Sequence, residues 1–250
     1  MFSFFGKKKE SLPLADFSGI GTDMHSHFIP AIDDGSDSVE TSVTLIKGLV
    51  ELGYKHIITT PHVMSDHYPN SSQEILNGLE NVRKRLNTEG VNVTLNAAAE
   101  YYLDEYFLDL LNTQPLLTLW DNYVLVEMSF YSPPRGWEDY FFKIALKGYH
   151  PILAHPERYA YFHKSYVEYA EIREKGVALQ VNALSLTGYY GESVKKTAFR
   201  LLDDRLIDYI GTDAHHVRHV GTITEQFKNP EIQKVLANYP FKNREINQHK

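Results

Sequence analysis

The chain predicts an α/β fold in which a parallel sheet is covered by helices. Three observations carry this expectation. Short β-type runs alternate with stretches of helical period seven times over. Helical stretches close on Gly53, Gly90, Gly148 and Gly176, as helices commonly do. No Pro-, Gly- or Ser-rich linker and no low-complexity segment divides the 250 residues. Such alternation implies parallel strands with covering helices, closed into a barrel or left open. In either form, function sits at the carboxyl ends of the strands.

The β-type runs are 20–28, 56–60, 91–98, 123–128, 151–154, 177–181 and 206–211. Between them, 38–52 places Val39, Val43, Ile46, Leu49 and Val50 at helical spacing. Ser72 is expected to cap the next helix, with Ile75, Leu76, Leu79, Val82 and Leu86 on one face. Further helices are expected at 103–111, 137–146, 164–175, 192–204 and 222–237. The face around Leu45, Leu49 and Leu52 has two uses, internal packing or contact with a second copy in a homo-oligomer.

Composition narrows the chemistry. Hydrophobic residues make up 43% and charged residues 23%, ordinary for a globular protein with a full core. The net charge of -7 argues against a nucleic-acid partner, which needs a basic face. The absence of cysteine excludes disulfides, thiolate metal sites and a cysteine nucleophile. The start is a short apolar run, Met1 to Gly6, followed by Lys7-Lys8-Lys9, which reverses the order of a secretory signal and predicts a cytoplasmic protein. No apolar stretch is long enough to span a bilayer.

The polar residues at the strand ends carry the functional reading. The first run contains His25 and His27, and residues two apart on a strand share a face. The following runs end in His62, Glu100, Glu127, His155, Asn182 and finally Asp213 with His215, again two apart. His56 and His150 lie at strand starts and are given no role. Alone, any one of these residues is unremarkable. Together at one sheet edge, without cations, they would be unstable, because buried unpaired charge is costly.

Mixed imidazole and carboxylate donors suit manganese, iron, zinc or magnesium better than copper. About eight ligands exceed the need of one ion, so two or three ions are expected, with Glu100 as the bridging carboxylate. Closely spaced ions lower the pKa of a shared water to roughly 7 and clamp the oxygens of an in-line displacement. That predicts hydrolysis, most simply of a phosphate ester. Phosphate calls for cationic forks, and Arg158, Arg135 and Arg218 lie in the loops after the fifth, fourth and seventh runs. Tyr68, Tyr101, Tyr102, Tyr131 and Tyr159 also follow strand ends and are candidates to wall an aromatic pocket.

His25-Ser26-His27 with Asp33-Asp34-Gly35-Ser36, Thr60-Pro61-His62, Ala99-Glu100-Tyr101-Tyr102, His155-Pro156-Glu157-Arg158 and Thr212-Asp213-Ala214-His215 resemble the PHP (polymerase and histidinol phosphatase) metallohydrolases. More narrowly, the chain resembles the bacterial manganese-dependent protein tyrosine phosphatases of capsule and exopolysaccharide operons. The resemblance implies a distorted seven-stranded (β/α) barrel of residues 20–250 behind an N-terminal extension of 1–19. It implies a trinuclear site, with manganese first among the metals. His25, His27, Glu100 and Asp213 would hold one ion, and Glu100 would bridge to a second held with His62 or His155. Asp34 and His215 would complete the third. Glu127 falls where a glutamate ligates or acts as acid/base, and Asp34, Glu127 and Arg158 are the catalytic candidates. The implied substrate is phosphotyrosine on a tyrosine autokinase that controls polysaccharide export.

Three other readings share these residues. A small-molecule phosphatase acting on histidinol phosphate or a sugar phosphate would use the same metals under longer closing loops. An amidohydrolase-like C–N hydrolase commonly relies on a carboxylated lysine, and no strand here ends in Lys. A regulator that keeps the fold only as a docking surface would not need ligands at every strand end.

Overall fold

The computed structural model describes residues 16–248, so the apolar start of the chain lies outside the described residues. In chain order the elements are β1 (Thr22–Asp23), α1 (Val39–Glu51), β2 (His56–Thr59), β3 (His62–Val63), α2 (Ser72–Thr88), β4 (Thr94–Ala97), β5 (Glu100–Tyr102), α3 (Glu105–Thr113) and β6 (Tyr123–Glu127). They continue as α4 (Trp137–Leu146), β7 (His150–Ala154), α5 (Val167–Glu174), β8 (Ala178–Asn182), α6 (Ala183–Thr187), α7 (Glu192–Asp203), β9 (Tyr209–Gly211), α8 (Val217–Gln226) and α9 (Pro230–Asn238). Among the described residues no helix is long and apolar enough to cross a membrane.

Every strand pair is parallel, in the orders β1-β2-β4 and β3-β5-β6-β7-β8-β9. The expected second and third runs each stop and restart. Pro61 lacks the N–H that the ladder needs, so β2 ends before it and β3 begins after it. The neighbouring chain follows suit, with β4 and β5 flanking Ala98-Ala99. Backbone bonds carry the pairing across both gaps, from Ala98 N to Thr59 O and from Glu100 N to Pro61 O. The first run shortens to β1, after which only Ser26 pairs, with Ala214. That bridge, with Asp213 N donating to His25 O and His27 N to Ala214 O, bonds the stretch after β1 to the stretch after β9.

Alternation along the strands sets two faces. Ile57, Val124, Val126 and Leu153 join the main core with the helices, while Ile58, Ala98, Leu125, Ile152 and Ala154 pack with Met24 in a second cluster. Strands buried on both faces explain why the runs read as continuously apolar. On that second face the pattern then turns polar: Ala98 leads to Glu100, Leu125 to Glu127, and Ala178 to Gln180 and Asn182.

Helix boundaries depart from expectation in ways the local chemistry explains. Ser71 rather than Ser72 caps α2, in a reciprocal box with Glu74, and Leu76 is left exposed. The helix expected at 222–237 is two: α8 begins at Val217, and Pro230 starts α9 behind the Asn229 cap. Leu45 and Leu49 are buried inside the core, and the half-buried Leu52 packs against it. Phe17 stacks on Tyr54 and contacts Phe227, so the packed body takes in residues ahead of Ile20.

A clasp joins the first and last strands at their lower ends. The buried Asn243 amide donates to Thr22 O and Ile210 O and accepts from Ile210 N. Asn243→Ala would strand three buried backbone groups, a cost of about 3 kcal/mol. Thermal unfolding of that variant is expected roughly 6–12 °C lower; an unchanged Tm would show that the clasp does not hold the margin together.

Candidate metal centre

The residues singled out at the strand ends meet at one rim. His25 and His27 follow β1, Glu127 closes β6, and His155 follows β7. Asp213 and His215 follow β9, and Asp34 lies on the loop before α1. His62 and Glu100 open the short strands β3 and β5 instead of closing the strands before them. His155 and Asp213 adopt left-handed backbone, with φ of 35° and 50°, and such outliers in non-glycine residues concentrate at functional sites.

Three overlapping ligand groups result: His25, His27, Glu100 and Asp213; His62, Glu100 and Glu127; and His27, Asp34, His62 and His215, each with ligand atoms within 4.8 Å of one another. In the first group His25 Nε2 lies 3.0 Å from Glu100 Oε2 and 3.3 Å from His27 Nε2. Asp213 Oδ1 lies 3.4 Å from His25 Nε2 and 3.5 Å from His27 Nε2. In the second, His62 Nδ1 is 3.0 Å from Glu127 Oε1 and 3.3 Å from Glu100 Oε2. In the third, Asp34 Oδ1 is 3.4 Å from His215 Nε2 and 3.6 Å from His62 Nε2. His155 Nε2 reaches the other Glu100 oxygen at 3.0 Å and Glu127 Oε2 at 3.9 Å. Glu100 is therefore common to two groups, the position expected of a bridge.

The hydrogen bonds behind the imidazoles test whether this set fits cations. His25 Nδ1 faces Gln180 Oε1 at 2.8 Å, His27 Nδ1 faces Asp33 Oδ2 at 2.8 Å, and His215 Nδ1 faces the Asp213 carbonyl at 2.9 Å. All three partners can only accept, so each ring carries its proton on Nδ1. In the neutral ring, Nε2 then turns a lone pair toward the centre. His62 Nδ1 is buried without a hydrogen-bond partner in good geometry, another donor atom aimed inward. Electrostatics agree. Burial opposes charging His25, but Glu100 and Asp213 outweigh it and raise its pKa. Burial likewise pushes Glu100 up, yet His25 and His62 pull it well below the usual carboxylate range. The pocket is an anionic cluster that demands positive charge, and the residues fit divalent ions.

Sequence reasoning missed much of the support for these ligands. Asp33 was assigned no role beside Asp34, yet it holds His27 and accepts from the backbone of Gly35 and His62. Gln180 donates to Asn182 Oδ1 at 2.9 Å, and Asn182 Nδ2 donates to Asp213 Oδ2 at 2.6 Å. A closed circuit thus runs from His25 through Gln180, Asn182 and Asp213 back to His25. The available signal was the period of β8, which puts Gln180 on the face of Asn182.

A cavity of about 180 Å³ opens over the ligands, lined by six of them together with Phe130, Arg158, Tyr190, His216 and His219. Arg158 Nη1 donates to Asp213 Oδ2 at 3.0 Å, and its guanidinium lies between the rings of Phe130 and Tyr190, at 4.3 and 4.1 Å. The other two arginines are not brought to this lining. Arg135 is exposed ahead of α4, and Arg218 sits in the first turn of α8, over the Tyr189 ring at 5.6 Å. Of the candidate tyrosines, Tyr101 and Tyr159 are buried with their hydroxyls bonded to backbone amides, and Tyr131 is 96% exposed. Tyr68 stacks on His62 outside the lining, and Tyr102 is half-buried in β5. The aromatic walls are Phe130 and Tyr190 instead.

With this geometry established, residues 21–237 match the family model for capsular polysaccharide synthesis, CpsB/CapC. The chain belongs to the CpsB/CapC family. Among its relatives, the tyrosine-protein phosphatase YwqE of Bacillus subtilis is 33% identical over 216 residues, 86% of this chain and 83% of that protein. The tyrosine-protein phosphatase CpsB of Streptococcus pneumoniae is 26% identical over 201 residues, 78% and 83% of the two chains. A crystal structure from the study of YwqE and CpsB as metal-dependent tyrosine phosphatases superposes with a TM-score of 0.75 at 30% identity, covering 86% of this chain and 91% of that one. A lactonase from Listeria monocytogenes, at 11% identity and a TM-score of 0.51, shares the fold alone.

Within this CpsB/CapC site, Asp33→Ala removes the acceptor that orients His27 without touching a ligand atom. Divalent-ion affinity, read by calorimetric titration, is expected to fall about 10–100-fold. Wild-type affinity in that variant would remove Asp33 from the support of the site.

Proposed function

We propose that the protein is a metal-dependent protein tyrosine phosphatase, a phosphoric monoester hydrolase. The observation that carries the reading is the set of three ligand groups sharing Glu100, His27 and His62 beneath a cavity whose wall includes a guanidinium against two aromatic rings. Membership of the CpsB/CapC family, whose relatives YwqE and CpsB are tyrosine phosphatases, supports it.

Bound divalent ions supply Lewis acidity and lower the pKa of water at the site. The chain supplies the rest. His25, His27, Glu100 and Asp213 would hold one ion, Glu100, Glu127 and His155 a second, and Asp34, His62 and His215 a third, with His62 giving one ring nitrogen to a single ion. Arg158 keeps four further N–H donors beyond its bond to Asp213, enough to fork two phosphoryl oxygens. Phe130 and Tyr190 hold the guanidinium flat and give the substrate ring an apolar wall. Glu127 and Asp34, both in the cavity lining, accept the proton released as water attacks in line. The departing phenolate, with a pKa near 10, takes up a proton at neutral pH, and the carboxylate that received the proton of water returns it there.

The finer reading takes manganese as the resident metal, a polysaccharide-export tyrosine autokinase as substrate and the cytoplasm as the compartment. Joined across their gaps, β2 with β3 and β4 with β5 each make one lane. With β1, β6, β7, β8 and β9 this gives a distorted seven-stranded barrel, which we take as one domain over residues 20–250 with Phe17 ahead of it packed against the same core. The backbone bonds between the stretches after β1 and β9 support closure.

His27→Ala and Arg158→Ala are each expected to lower kcat/KM on a phosphotyrosine peptide by about 10²–10³-fold with the fold retained by circular dichroism. Chelation should abolish turnover and manganese restore it, while thiol alkylation leaves it intact because the chain has no cysteine. Full activity in the presence of chelator, or equal turnover of phosphoserine peptide and histidinol phosphate, would overturn the assignment.

A further inference from the structure

On its α8 side the cavity is lined by an imidazole and not by an arginine. Arg218 leans on Tyr189, away from the cavity lining. One residue on, His219 is 8% exposed, packs edge-on against Tyr189, and lines the same cavity as Arg158. Its tautomer is fixed by a neighbour that has no choice of role. The His215 backbone N–H donates to His219 Nδ1 at 3.2 Å, so in the neutral ring the proton resides on Nε2. With Nδ1 engaged by that backbone, the remaining polar atom of the ring is an N–H donor.

We propose that His219 is a substrate-contacting residue, donating its Nε2–H to a phosphoryl oxygen held on the other side by Arg158. This rests on the phosphatase reading and adds a residue to it. Apart from the metal ligands the lining consists of Phe130 and Tyr190, whose rings flank Arg158, Arg158 itself, and the imidazoles of His216 and His219, so these imidazoles are the nitrogen donors left beside Arg158. His216 is exposed and caps α8 without a side-chain bond, whereas His219 is buried and oriented. A donor without a fixed full charge suits this wall, because His215 stands beside it and a second cation there would compete with the ion that His215 faces.

Two substitutions separate contact with substrate from mere support of the His215 turn. His219→Asn keeps an acceptor for the His215 N–H but is too short to reach the cavity. His219→Gln extends an amide donor toward the Nε2 position but misplaces the Nδ1 acceptor. In manganese-loaded protein, the affinity for inorganic phosphate by calorimetry and the KM for p-nitrophenyl phosphate are the readouts, with Arg218→Ala as the comparison. The proposal expects His219→Asn to weaken phosphate binding and raise KM about tenfold, the size of one hydrogen bond to a charged group. It expects manganese content to stay unchanged, His219→Gln to remain within about threefold of wild type, and Arg218→Ala to have no effect. The reverse order, with His219→Asn normal and His219→Gln impaired, overturns it, as does a tenfold loss in Arg218→Ala. If the wild type hydrolyses no phosphate ester, the phosphatase reading fails, and phosphate calorimetry on the same variants still decides the role of His219.

Discussion

Burying Glu100 and Asp213 in one water-poor pocket is the constraint on which the rest of the structure depends. Both carboxylates are almost fully buried, at 0% and 2% exposure, and they lie among imidazoles that burial alone would keep neutral. Desolvated charge of this density is tolerable only when answered by positive charge at close range. The ring of histidines provides part of the answer and the geometry for the rest. The apolar cluster below, from Met24 to Ile152, keeps water from entering on the other side and so keeps those interactions strong.

The ligands are held as a unit through residues that never reach the centre. Glu157, fully buried, accepts from the Asn182 backbone and from Ser185, and burial pushes its pKa up. Asn182 in turn fixes Asp213, and Gln180 ties Asn182 to His25. Asp213 divides its two oxygens, one toward the imidazoles and one shared by Asn182 and Arg158. Arg158 in the cavity wall is thus bonded to Asp213 in the first ligand group, so the two halves of the site keep a common geometry.

The alternation of β runs and helical stretches was legible in the sequence because each run is short, apolar and followed by a polar residue, and it led directly to the rim. What escaped notice depends on contacts across the chain. The restart of β3 and β5 beyond Thr60-Pro61 and Ala98-Ala99 reflects pairing with a neighbouring lane, which no local pattern encodes. Asn243 reads as one more polar residue near the end of the chain, and only the approach of Thr22 and Ile210 makes it a clasp. Arg218 and His219 are adjacent, and only His219 lines the cavity, because helix phase decides which side chain faces inward. Asp33 and Asp34 pose the same difficulty: consecutive carboxylates on a loop, one supporting the His27 imidazole from behind and one lining the cavity beside His215.

The left-handed backbone at His155 and Asp213 has a consequence for how this site can drift. Outside glycine, that conformation is tolerated best by Asn, Asp and His and worst by β-branched side chains. The main chain at these two positions therefore filters substitutions before any cation does, and the side chains it admits most readily are ones that can themselves coordinate. Exchange of one coordinating residue for another costs the fold little there, while replacement by Val or Ile is opposed twice, once by sterics and once by chemistry.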